Sequence, residues 1–115
     1  MKTSRFNVET TDIQSLATFV TSQMNISYSN ETDDMIIIAS EQYKFRTNST
    51  QMNMIIVKKH EFGCCIDIIG AAGGTGLFNF SLWAESGFVK SATKLLENYC
   101  TKEDLKMTEE KTPTF

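Results

Sequence analysis

Met35 to Arg46 is the segment that most constrains the fold. It is dominated by β-branched and aromatic residues and holds neither Gly nor Pro, the composition of a long strand. Thr47-Asn48-Ser49-Thr50 is a polar turn, and Gln51 to His60 is a second strand of the same kind. His60-Glu61-Phe62-Gly63 turns the chain again, into a third strand from Cys64 to Ala71. Parallel neighbours need a crossover of a dozen or more residues, so strands joined by such short turns must pair antiparallel.

The flanking segments add two helices and further strands. Ser4 to Glu9 alternates, with Phe6 and Val8 on one face, and reads as a short half-buried strand. Thr11-Asp12-Ile13-Gln14 has the form of a capping box, and Ile13, Leu16, Ala17, Val20 and Met24 follow at helical spacing over Asp12 to Met24. Asn25 to Ser29 reads as a short strand, and Leu77 to Leu82 as a fourth hairpin strand after the glycine-rich turn Gly70 to Gly76. Phe88, Ala92, Leu95, Leu96 and Tyr99 make one stripe of a final helix over Ala84 to Cys100. The sequence therefore predicts an α+β fold: an antiparallel meander of five to six strands in the order β-α-β-β-β-β-α, with both helices on one face. Residues 1–100 form a single domain in this reading, and 101–115, rich in Lys, Glu, Asp and Thr, form a flexible charged tail.

Composition narrows the function classes. The chain has 115 residues and a formal net charge of −3, with no surplus of Lys and Arg to neutralise phosphates, which argues against nucleic-acid binding. Its longest apolar stretch, Met35 to Ala39, is far short of a bilayer span, and the N-terminus has no signal-like apolar run. The expectation is a cytoplasmic protein with no membrane association. Cys64, Cys65 and Cys100 are an odd set, two of them adjacent, and do not describe a disulfide framework. With a single His they cannot supply the ligands of a zinc site, so neither metal nor cofactor is expected.

Side chains alternate across a strand, and splitting each strand into rows yields the candidate sites. The row Ile37, Ala39, Glu41, Tyr43, Phe45 is taken to face the helices, together with Met54, Ile56, Ile66 and Ile68. This would bury Glu41 beside Tyr43, where an unpaired carboxyl titrates high and marks a candidate ligand site. Ile36, Ile38, Ile55, Val57, Ile69 and Leu77 would then lie on the outer face, an apolar patch suited to a homodimer interface. Asp67, on that same face, would pair across the interface. The turn around Gly73 and Gly74 invites a phosphate-loop reading, but Leu77-Phe78 stands where a P-loop needs Lys and Ser or Thr. It is read as a hairpin, with a small ligand against it as the alternative. His60 has no nucleophile or carboxylate at a recognisable spacing, and Trp83 and Phe88 read as staples of the last helix.

Glu41-Gln42-Tyr43, the Met52–Val57 strand, Ile68 to Phe78 and Ala84-Glu85-Ser86-Gly87-Phe88 together resemble a family of short uncharacterised bacterial proteins. That family has a Glu-x-Tyr strand, a Gly-Gly turn and a Glu-x-x-Phe helix start. The resemblance implies matching positions at Glu41, Gly73, Gly74, Glu85 and Phe88, and no activity. Two classes stay open. The first is a non-catalytic binding or interaction module forming a homodimer. The second is a small-ligand binder or minor enzyme with a pocket between helices and sheet around Glu41 and Tyr43. The reading leans away from an enzyme.

Overall fold

A computed structural model describes residues 2–44, 49–72 and 80–112, with side chains over 2–41, 51–70 and 87–112. The elements are β1 (Lys2–Val8), α1 (Ile13–Ser22), β2 (Tyr28–Glu31), β3 (Met35–Lys44), β4 (Ser49–His60), β5 (Gly63–Ala72), α2 (Phe80–Lys102) and β6 (Met107–Glu110). The six strands form one sheet in the order β2-β3-β4-β5-β1-β6, and every pairing is antiparallel. The α+β class follows as expected, and β2 to β5 form the meander.

Two expected elements differ. Of the strand expected over Leu77 to Leu82, Phe80 to Leu82 instead open α2, and residues 73–79 lie outside the described segments. The charged stretch after Cys100 is not a free tail, because α2 runs on to Lys102 and Met107–Glu110 pairs with β1. Its anchors are Leu105 and Met107, which pack against the core from an otherwise polar segment.

α1 starts one residue later than the capping box implies. Asp12 is the N-cap, and the backbone N–H of Ser15 donates to its Oδ1 at 3.2 Å. Ser15 Oγ donates to Oδ2 at 2.8 Å, and these two bonds hold the Asp12 carboxyl below its ordinary range. The β4–β5 hairpin is tight, with His60 paired to Gly63. A side chain at position 63 would strike the Val8 carbonyl oxygen, so glycine is required for close approach of β1.

The register fixes which side chains share a face. Ile36, Val57, Ile66 and Phe6 lie in one row across β3, β4, β5 and β1, and Ile38, Ile55 and Ile68 in the next. These rows pack against Ile13, Leu16, Ala17 and Val20 of α1 and Val89, Ala92, Leu96 and Tyr99 of α2. The Phe19 and Tyr99 rings, 5.3 Å apart, join the two helices. The rows expected on β3 and β4 are therefore inverted. Ile36, Ile38, Ile55 and Val57 are 2%, 1%, 1% and 0% exposed, inside the chain's own core, and are not an outer patch. The physical reason is that Met35 to Ala39 is aliphatic on both faces, so alternation there does not choose a side.

Candidate functional site

Among the described residues both helices pack on the same side of the sheet, leaving the other side as the candidate site. Its side chains are set by the same register. One row across it holds Tyr28, Ala39, Met54, Ile69 and Thr3. The next holds Asn30, Ile37, Ile56, Asp67, Arg5 and Glu110, and a third Met35, Lys58, Cys65, Asn7 and Thr108. Toward the far end of β3 and β4 lie Glu41 and Met52.

This face is divided. Over β2, β3 and β4 its centre is apolar: Ile37, Met54 and Ile56 are half-buried and Tyr28, Met35 and Met52 are exposed, with the polar Asn30, Glu41 and Lys58 at the margins. Over β1 and β6 it is charged. Arg5 Nε donates to Asp67 Oδ1 at 2.6 Å and Nη2 to Oδ2 at 3.3 Å, a two-point pair that raises the guanidinium pKa further. Asn7 Nδ2 donates to Glu110 Oε2 at 3.0 Å. Asp67 thus has its partner on the neighbouring strand of its own chain.

The other expected site residues fall as follows. Glu41 is exposed on the helix-free side, and its backbone N–H donates to Ser27 Oγ at 3.1 Å. It is not buried between helices and sheet, because it belongs to the row of Ile37 and Ala39. Tyr43 pairs through its backbone with Thr50, and its side chain lies outside the described ones. Gly73, Gly74 and Leu77 lie outside the described residues. Ile69 is half-buried on the helix-free side, the one residue of the expected patch placed there among those described.

Sequence reasoning missed a polar group on the helix side. Ser40, Gln51 and Asn53 are buried in the positions expected to be aliphatic or outward. Counting back from the two-residue hairpin would have found them: pairing His60 with Gly63 sets Val57 against Ile66, Ile55 against Ile68 and Asn53 against Gly70.

No described cluster of His, Cys, Asp and Glu could hold a metal ion. Cys64, Cys65 and Cys100 are free thiols. Burial is the largest cause raising the pKa of each, and it takes Cys64 to about 11. A thiol so placed stays protonated near neutral pH and is a poor nucleophile. Two surface grooves lie beside the β1–β6 edge of the sheet. One of about 590 Å³ is lined by Phe6, Glu97, Cys100, Leu105 and Met107, and the other, of about 610 Å³, by Asn7, His60, Phe62 and Lys106. Glu41 lines neither. No described helix is long and apolar enough to cross a membrane.

The class of protein so defined is a two-layer α+β domain with one sheet face under helices and the other divided between apolar and charged halves. A family model, Family of unknown function (DUF6054), matches residues 7–100, and the chain belongs to that family. No curated protein and no solved structure matches it significantly. The match ends at Cys100, so the β6 segment lies beyond it.

Proposed function

We propose that the chain is a non-catalytic interaction module that pairs with a second copy of itself through the apolar half of the helix-free sheet face. The observation that carries this reading is the row structure of that face. Ile37, Met54, Ile56 and Ile69 are contiguous there, ringed by Met35, Met52 and Tyr28. A contiguous apolar patch on a sheet face is the usual mark of a partner surface. At a strand spacing of about 4.8 Å and about 3.3 Å per residue, about eight residues each of β3, β4 and β5 with the four of β2 cover roughly 440 Å² per copy. Two copies then bury about 900 Å², the size of a weak, transient interface, which suits a dimer with a dissociation constant of roughly tens of micromolar. The Arg5–Asp67 pair is satisfied within one chain and sits at the rim, where it carries no unpaired charge into the contact.

Sedimentation equilibrium from 1 to roughly 200 µM tests the reading, a range spanning the affinity expected from that area. The wild type shifts from monomer to dimer across it, and Ile56→Lys stays monomeric with its far-ultraviolet circular dichroism unchanged. A wild type that remains monomeric at the top concentration rejects the proposal.

A further inference from the structure

β6 is one edge of the sheet, and no described strand lies beyond it. Its bonds to β1 decide which of its backbone groups stay open. Glu9 N–H donates to the Lys106 carbonyl at 3.0 Å, and hydrogen-bonded pairs alternate along an antiparallel ladder. Carried through the register, Thr108 and Glu110 turn their backbone groups to β1, opposite Asn7 and Arg5. Met107 and Glu109 therefore turn theirs outward, to the open edge. Their side chains lie on the helix side, since they stand opposite Val8 and Phe6 of the core.

The same two residues line the groove of about 590 Å³ between this edge and the end of α2. Its described lining carries three carboxylates, those of Glu97, Asp104 and Glu109, and no cation. All three residues are exposed, while Leu105 and Met107 are half-buried between them. Lys106 projects to the opposite face and lines the other groove. Lys111, next after Glu109 on the helix side, is exposed and lies outside the groove. An open edge, an apolar floor and an acidic rim thus meet in one place.

We infer that β6 takes up an extended basic segment of a partner protein as an antiparallel seventh strand. Main-chain bonds to Met107 and Glu109 hold the segment, and alternate side chains reach the groove, the division of labour usual in strand addition. An apolar residue lies over Leu105 and Met107, and a Lys or Arg two positions along meets Glu109, with Glu97 and Asp104 behind it. Charge on an edge strand decides what may pair with it, and here the groove side bears one sign. A second copy added at this edge would bring its own Glu97, Asp104 and Glu109 to the same side of the sheet, so the occupant is a basic segment of another chain. The site lies apart from the apolar half of the helix-free face and does not depend on self-association.

The test titrates the full ¹⁵N-labelled chain with the peptide Thr-Lys-Thr-Ile-Thr-Lys-Thr, blocked at both ends, followed by NMR. Its symmetry sets Ile against Met107 with a Lys two positions away on either side. Ile56→Lys is titrated beside the wild type, which keeps the outcome independent of the proposed dimer. The Met107 and Glu109 backbone amides are expected to shift saturably and to gain protection from hydrogen exchange, with a dissociation constant on the order of 0.1–1 mM. Glu109→Lys, at an exposed position, is expected to weaken binding about tenfold, because an attraction becomes a repulsion. The same peptide with Glu in place of Lys is expected not to bind. An edge that does not respond overturns the inference. So does equal binding by a peptide N-methylated at Ile and both Lys, since charge alone then suffices. Met107 and Glu109 amides already protected in the free protein, and more so at higher concentration, would give the edge to a second copy and overturn it as well.

Discussion

The side chains of Cys64 and Cys65 leave adjacent backbone positions in opposite directions, the first into the core and the second onto the helix-free face. Burial therefore acts on them unequally, and it pushes the Cys64 thiol from an ordinary value of 9.0 up to about 11. The folded state thus favours the protonated thiol more strongly than the unfolded chain does. Its contribution to stability is fully present below about pH 9 and is lost as pH rises through about 11. Allowing for screening, the loss is about 1–2 kcal/mol. Chemical denaturation at pH 8, 9.5 and 11 checks this: the gap between wild type and Cys64→Ala narrows with rising pH. A gap constant across the range would show that the thiol ionises as easily in the folded chain as in the unfolded one. Tyrosine and lysine titrations fall in both proteins and cancel in the difference.

At the scale of elements, the end of α2 decides how the chain closes. Leu105 N–H donates to the Cys100 carbonyl at 2.8 Å and Asp104 N–H to the Thr101 carbonyl at 3.4 Å, the paired bonds of a Schellman motif. Asp104 sits between them with φ of 55°, the one described non-glycine residue with positive φ. Glycine is the usual residue there because the left-handed region crowds a Cβ. Asp104→Gly is therefore expected to stabilise the fold by about 0.5–1 kcal/mol, read as an upward shift of the urea midpoint at unchanged m-value. The same residue explains why β6 was illegible in the sequence: without a glycine after Lys102 nothing announced a sharp stop, and Leu105 and Met107 were submerged in a charged run. The long strands and both helices were legible, because β-branched runs and helical stripes are local signals. Register is not local. Met35 to Ala39 is apolar on both faces, and the row that ends in Ser40 looked like the wet one although it is the buried one. Glu41 and Ser40 thus exchanged places in the expected site.

For the whole molecule, β6 is the last described strand along the chain, and it lies at the edge of the sheet opposite β2. It covers the outer edge of β1 from Arg5 to Val8 and brings Leu105 and Met107 against the core. Thr112 shares a hydrogen bond with Thr3 at 3.5 Å, so the closure reaches back toward the start of the chain. Ending the chain at Lys102 would remove these contacts and expose Phe6 and Cys100, which line the groove beside Leu105 and Met107. Burial of two partly covered side chains of this size amounts to about 2–3 kcal/mol, which for a domain of this length lowers the melting temperature by roughly 10 °C. The truncated chain should still fold, because the rows through β3, β4 and β5 and their contacts with α1 and α2 do not involve β6. Its β1 edge would then present unpaired N–H and C=O groups, so aggregation should increase with concentration. Self-association through the apolar face should survive, since Ile37, Met54 and Ile56 lie on β3 and β4, away from that edge. Calorimetry of the truncated chain, alongside sedimentation of the same sample, separates the two effects. A truncated chain that melts with the full one would show that β6 adds no stability. One that melts lower but has lost the dimer would move the pairing surface to the β1–β6 edge.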